Sequence, residues 1–298
     1  MARCTVPSIL GLVAALTACG HANASKRSAT TTAAERAGPR VPSAPNVVAI
    51  TAREYAFDAP DSIPAGLTTF HLVDAGQQLH HVQLLKLVDG KTVADFTQAL
   101  AHMKPDAPLP SWVQDAGGVN APRPGGGEAS ATLPIDAGSY VMVCFIPDAN
   151  GVPHIAKGMM RPLTVTPASG PAATPPTADD TLTLADYTFT LSAPLTAGTH
   201  TLRIVNTGQQ PHEVELVRLA PGKSAAEMAK WVFQQYGPPP GEPLGGVPAL
   251  PVGGYAFITQ DFPPGNYALL CFVPDVKDGK PHAAHGMVKQ ITVREAAG

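Results

Sequence analysis

Apolar and polar side chains alternate along short stretches in each half of this chain: Thr68 to Val73 and His80 to Leu87 in the first, Thr199 to Val205 and His212 to Leu219 in the second. A period of two is the mark of a strand with one face in a core, and Ala-Gly or Gly-Gln-Gln turns bound these stretches. The period changes once per half. Ser224-Ala225-Ala226-Glu227 has the pattern of a helix capping box, and Thr92 with Asp95 is its counterpart. Behind these caps, Val93, Phe96, Leu100 and Met103 fall on one helical face, and Met228, Trp231 and Val232 on another, as core contacts. A loop rich in Gly and Pro then passes through Gly117-Gly118-Val119 or Gly245-Gly246-Val247. Beyond it lies a strand on which Tyr140, Met142 and Cys144, or Tyr267, Leu269 and Cys271, share a face. The pattern predicts an all-β chain with one short helix inserted in each half.

The halves are an internal repeat. ITAREYAFDAPDSIPAGLTTFHLVDAGQQLHHVQLLKL corresponds to LTLADYTFTLSAPLTAGTHTLRIVNTGQQPHEVELVRL at an offset of 132, which falls to 127 at Cys144 and Cys271. At 298 residues the chain suits two domains, predicted at 46–166 and 180–294 and joined by a Pro-rich linker, 167–179. Each carries its own strands, helix and metal-ligating side chains. With 32 prolines, 28 glycines and 14% charged residues, the composition favours turns and strands. A net charge of −3 gives no support for a nucleic-acid partner.

The N-terminus has Arg3, an apolar run from Ile9 to Leu16, then Leu16-Thr17-Ala18-Cys19-Gly20, which resembles a bacterial lipobox. It predicts a lipoprotein signal peptide over 1–18, lipidation of Cys19 and a flexible Ala/Ser/Thr/Pro tether over 19–45. The apolar run is too short to remain as a membrane span. The protein is therefore expected to be exported and held by its lipid at the cell envelope, on the periplasmic side or at the outer membrane.

Cleavage and lipidation would leave two of the four cysteines, Cys144 and Cys271, at matching places in the repeat. A disulfide between them is one alternative. The other is ligation, because each stands in the same order of side chains: His80, Cys144, His154 and Met159, then His212, Cys271, His282 and Met287. A thiolate, two imidazoles and a weak thioether suit copper cycling between two oxidation states, whereas zinc sites seldom take Met. The bland reading makes the histidines hydrogen-bonded strand ends and the methionines core filling. Met160, His81 and His285 are near misses that could substitute as ligands, although His81 is Glu213 in the second repeat and His285 is Lys157 in the first, while His21, His71, His102 and His200 read as structural or solvent-facing.

These motifs resemble the cupredoxins, the blue-copper family that includes plastocyanin and pseudoazurin. The resemblance lies in an Asp- or Asn-x-Gly turn before the first His (Asp74 to His80, Asn206 to His212), a Gly-x-Tyr-x-x-x-Cys strand (Gly138 to Cys144, Gly265 to Cys271), and His-x4-Met (His154 to Met159, His282 to Met287). It implies tandem Greek-key β-sandwiches, each holding one copper by His, Cys, His and an axial Met, and each passing single electrons to a redox partner protein. Nine residues separate Cys144 from His154 and ten separate Cys271 from His282, more than the family's usual two to four. The turn-formers Pro147 to Gly151 and Pro274 to Gly279 are expected to bulge outward and return each His. No His-x-His occurs, and Val143 and Leu270 precede the cysteines, so the chain is expected not to be an enzyme of the multicopper oxidase or nitrite reductase kind. The alternatives are copper storage or delivery, with a copper donor or acceptor as partner, and a metal-free interaction module.

Overall fold

The computed structural model describes residues 43–103, 107–234 and 237–295. The signal peptide, Cys19 and nearly all of the tether lie outside these residues. The first repeat is built from β1 (Asn46–Arg53), β2 (Ala56–Asp58), β3 (Ser62–Pro64), β4 (Gly66–Asp74), β5 (Val82–Leu87), α1 (Val93–His102), β6 (Val113–Val119), β7 (Gly127–Ile135), β8 (Gly138–Val143) and β9 (Met160–Thr166). The second is built from β10 (Asp180–Ala185), β11 (Thr188–Leu191), β12 (Gly198–Asn206), β13 (His212–Leu219), α2 (Ala225–Gln234), β14 (Gly241–Leu250), β15 (Tyr255–Phe262), β16 (Gly265–Leu270) and β17 (Val288–Val293).

Each repeat is a two-sheet sandwich. In the first, β2-β1-β4-β7 faces β3-β9-β8-β5-β6; in the second, β11-β10-β12-β15 faces β14-β13-β16-β17. The chain crosses repeatedly from sheet to sheet, and β1 with β4, and β10 with β12, pair in parallel although no βαβ unit joins them. This is the Greek-key sandwich that the resemblance implies, built twice with one helix in each. The alternating strand pattern explains it, since Phe70 and Leu72 on β4 are wholly buried and Leu202 and Ile204 on β12 nearly or wholly so. Both helices are capped as the sequence predicts. Thr92 and Asp95 exchange side-chain and backbone bonds, and so do Ser224 and Glu227. Phe96 anchors α1 beneath Leu85, Leu87, Val141 and Val143, on the far side of that sheet from the main core.

The Gly- and Pro-rich segments after the helices, unassigned from sequence, are the edge strands β6 and β14. Their doubled glycines are needed there: a Cβ on Gly118 would come 1.9 Å from the Val82 carbonyl oxygen, and one on Gly246 would come 2.0 Å from that of Val214. These edges bring the repeats together. Asn120 N–H donates to the Gly246 carbonyl at 3.1 Å, Pro122 bridges to Leu244, and Phe257 on β15 pairs with Thr132 on β7. The two front sheets thereby become one eight-stranded sheet, and a single apolar core cluster runs through both repeats.

Candidate metal centres

Each site is assembled from a turn, a strand end and a returning loop. The turn comes first. Asp74 accepts from the backbone N–H of Gly76 at 3.1 Å and of His80 at 2.9 Å; Asn206 accepts from Gly208 at 2.9 Å and donates to the Gln210 carbonyl at 2.9 Å. These Asx turns aim His80 and His212 inward. Burial pushes the Asp74 carboxyl up to about 7. Gly76 and Gly208 are required by close approach, since a Cβ would lie 2.7 Å from His80 Nε2 in one site and 2.5 Å from His212 Nε2 in the other.

Cys144 and Cys271 stand one residue past β8 and β16, wholly buried, and both thiols are free, which removes the disulfide alternative. Their strands are fixed at the other end by Tyr140 and Tyr267, whose hydroxyls donate to the carbonyls of Asp136 at 2.9 Å and Pro263 at 2.6 Å. The long loops fold back as miniature hairpins. Pro147 bridges to Pro153 and Pro274 to Pro281, His154 N–H donates to the Ile146 carbonyl at 3.0 Å, and His282 N–H donates to that of Val273 at 3.0 Å. A short 3-10 turn then leads from each His to Met159 or Met287, and the carbonyls of those methionines accept from Cys144 N–H and Cys271 N–H, both at 3.3 Å. The chain thus brings His80, Cys144 and His154 into one group and His212, Cys271 and His282 into an equivalent one, while Met159 and Met287 follow at the ends of the returning turns; all eight side chains are 0% exposed.

His80 Nδ1 lies 3.1 Å from His154 Nδ1, which lies 3.4 Å from Cys144 Sγ; the second site has 3.0 and 3.2 Å for His212, His282 and Cys271. Donors held about 2.0 to 2.3 Å from one ion at tetrahedral to trigonal angles stand about 3.3 to 3.7 Å apart, so a small outward movement separates these groups from a coordination set. At three of the four histidines an outer acceptor favours one tautomer. His80 Nε2 faces Glu54 Oε1 at 3.4 Å, His154 Nε2 faces Gln78 Oε1 at 3.2 Å, and His212 Nε2 faces Asp186 Oδ1 at 2.9 Å. An acceptor outside fixes the proton on Nε2 and turns the Nδ1 lone pair inward. Two lone pairs aimed at each other 3.1 Å apart repel, and a cation between them removes the conflict. Burial and the neighbouring imidazole keep His154 and His282 neutral, each pushed down to about 4. Burial holds Cys144 as a thiol, pushed up to about 12, and raises Cys271 likewise. A soft donor set of this kind fits copper.

The sites differ in their outer groups. In the first, Asp148 is ion-paired with Lys157, whose ammonium stands 4.6 Å over the Tyr55 ring. In the second, Asp275 is held by neutral donors, Tyr187 at 2.5 Å and Gln210 at 2.9 Å, and lies 3.7 Å from His282 Nε2, which has no hydrogen-bond partner. Tyr55 and Tyr187 cover the outer histidines, with ring centroids 5.0 and 5.6 Å from those of His154 and His282. Sequence reasoning missed Glu54, Gln78, Asp186, Gln210 and the two loop aspartates as supporting groups, although the repeat held the signal: Glu54 and Asp186, like Gln78 and Gln210, are paired at the offset of 132. His81 is no ligand. Its ring turns away to accept from Phe145 N–H at 3.0 Å. His285 meets Asp278 at 3.1 Å on the surface.

No family model and no curated protein matches the chain. Solved structures that match it include a dithionite-reduced auracyanin from the photosynthetic bacterium Roseiflexus castenholzii, 23% identical over 42% of this chain and 100% of that one, with a TM-score of 0.28. A multicopper oxidase is 12% identical over 83% of this chain and 87% of that one, with a TM-score of 0.23. A copper-containing nitrite reductase from Thermus scotoductus is 11% identical over 86% and 63%, with a TM-score of 0.24. The expectation that the chain is not an enzyme is corrected here, because enzymes stand among the matching structures. The absence of His-x-His and His-Cys pairs does not exclude catalysis.

Proposed function

We propose that this is a copper protein with two cupredoxin-like domains, 46–166 and 180–294, that passes single electrons, one type 1-like site in each domain. His80, Cys144, His154 and Met159 would hold one ion, and His212, Cys271, His282 and Met287 the other. The observation that supports this most is the preformed convergence of two Nδ1 atoms and one Sγ in each repeat, with the outer nitrogens of His80, His154 and His212 already held in place. Copper would supply one-electron oxidation and reduction. The chain's part is to fix a ligand set that both oxidation states accept, so that little has to move. Backbone N–H groups of His81 and Ile146 point at Cys144, and those of Glu213 and Val273 at Cys271, which stabilises each sulfur as a thiolate once metal displaces its proton.

The reading places the protein at the cell envelope, lipid-anchored through Cys19, where a redox partner protein would dock. Among the described residues no helix is long and apolar enough to cross a membrane.

Visible spectroscopy of the Cu(II)-loaded protein tests the reading. A thiolate-to-copper band is expected, halved by Cys144→Ser or Cys271→Ser and abolished by both, because a serine hydroxyl is hard and far less easily oxidised. Tight copper binding without the band would transfer the chain to storage or delivery.

A further inference from the structure

The residues that follow the two first-position histidines are not equivalent in kind, His81 and Glu213, yet they do the same thing. His81 Nε2 accepts from the N–H of Phe145, the residue after Cys144, and Glu213 Oε1 accepts from the N–H of Phe272, the residue after Cys271. Each also turns its own backbone N–H to the sulfur, Glu213 at 3.4 Å from Cys271 Sγ. Both side chains are buried at the repeat interface, and one residue joins them. Asn120, at the end of β6 and 2% exposed, accepts from His81 Nδ1 at 3.2 Å and turns its amide to the second repeat, donating to the Val214 carbonyl at 3.2 Å and to Glu213. Its backbone is pinned to Gly246 at 3.1 Å. The second repeat supplies no equivalent of this residue, since Pro248 follows Val247 where Asn120 follows Val119. A continuous line of covalent and hydrogen bonds therefore runs between the sulfurs.

We propose that Asn120 bridges the two metal sites, and that electrons cross the repeat interface from the second site to the first through Cys271, Glu213, Asn120, His81 and Cys144. This rests on the reading of both groups as copper sites. With copper held in both groups, one electron would pass from a reduced second site to an oxidised first site, exchanging their oxidation states; no proton or further reactant would take part, and an external one-electron donor would refill the second site. The direction follows from fixed charge. Asp186 stands closer to His212 than Glu54 does to His80, 2.9 against 3.4 Å, and Asp275 faces His282 without the lysine that neutralises Asp148. Negative charge near the ion favours the higher oxidation state, so the second site is the better donor.

The test is pulse reduction of the fully Cu(II)-loaded protein, with Cys144→Ser and Cys271→Ser supplying the reference spectrum of each site. A fast phase independent of protein concentration is expected, in which the first site's band bleaches as the second's recovers. Asn120→Leu, similar in size but without hydrogen bonds, should remove that phase and keep both bands. His81→Leu should remove it too, and His81→Gln, which can accept from Phe145 and donate to Asn120, should restore it. Arg123→Ala, which breaks the exposed 3.2 Å pair with Glu242 at the same interface, should leave it alone. In the metal-free protein, Asn120→Leu should speed hydrogen exchange at the Phe145 and Phe272 amides together. Both bands with an exchange phase indifferent to Asn120→Leu, or one dependent on concentration, would overturn the bridge. Absence of any thiolate band in the wild type would instead overturn the copper reading. If Asn120→Leu does not fold, the His81→Leu and His81→Gln pair decides.

Discussion

Gly76 and Gly208 have no room for a methyl group, because the imidazole and its carboxylate partner fill the space a Cβ would take. Gly208→Ala should cost about 1 to 3 kcal/mol of stability through overpacking and abolish the second site's band, while leaving the first site's intact. The thiols set the pH dependence. Cys144 is pushed up to about 12, so at neutral pH each ion that binds there displaces one proton, whereas His154 and His282, pushed down to about 4, have none to lose above about pH 5. Copper affinity should therefore rise with pH, roughly tenfold per pH unit at each site, as read by Cu(I) competition titrations. Charge outside the ligands sets the potential. Asp275→Asn should raise the second site's potential without moving the first's, in a spectroelectrochemical titration resolved with the two single-cysteine variants.

Helices and hairpins divide the work of support. α1 packs on the cluster around Phe96, separate from the core cluster that contains Cys144. Thr92→Ala should thus lower the unfolding free energy by about 1 kcal/mol, measured by urea denaturation, and leave the copper spectrum unchanged. The hairpins between Cys and His behave differently. Asp148 accepts from Asn150 N–H and Val152 N–H at 2.9 Å each, and Asp275 reaches Tyr187 and Gln210. The turn-formers in the sequence foretold that these loops return the chain. That their aspartates also buttress the sites depends on contacts 65 and 88 residues away in sequence, which no local pattern carries.

At the scale of the molecule, the repeats behave less like beads on a linker than like the halves of an internal dimer, joined along β6 to β14 and β7 to β15. A fragment of residues 43–166 would expose the β7 edge together with Asn120 and Gln83, which donates to the Ala249 carbonyl at 3.3 Å in the whole chain. Such an edge is a template for pairing. The fragment should self-associate at micromolar concentrations in sedimentation velocity runs, whereas residues 43–295 stay monomeric.

Local pattern was enough for most of the strands, for the capped helices and for the two His, Cys and His groups that the fold brings together, because alternation, capping chemistry and donor softness are properties of neighbouring residues, and duplication within one chain checked each of them. It could not give the joining of the sheets, the tautomers of the histidines or the place of Asn120. Those depend on which edges meet, on which acceptor faces an outer nitrogen, and on a buried amide that gains partners only when both repeats close around it. Asn120 in sequence is one polar residue after Gly118 and Val119; its meaning comes from His81, 39 residues before it, and Val214, 94 residues after. Burial makes that difference physical, since a polar group taken from water must find partners wherever the fold brings them.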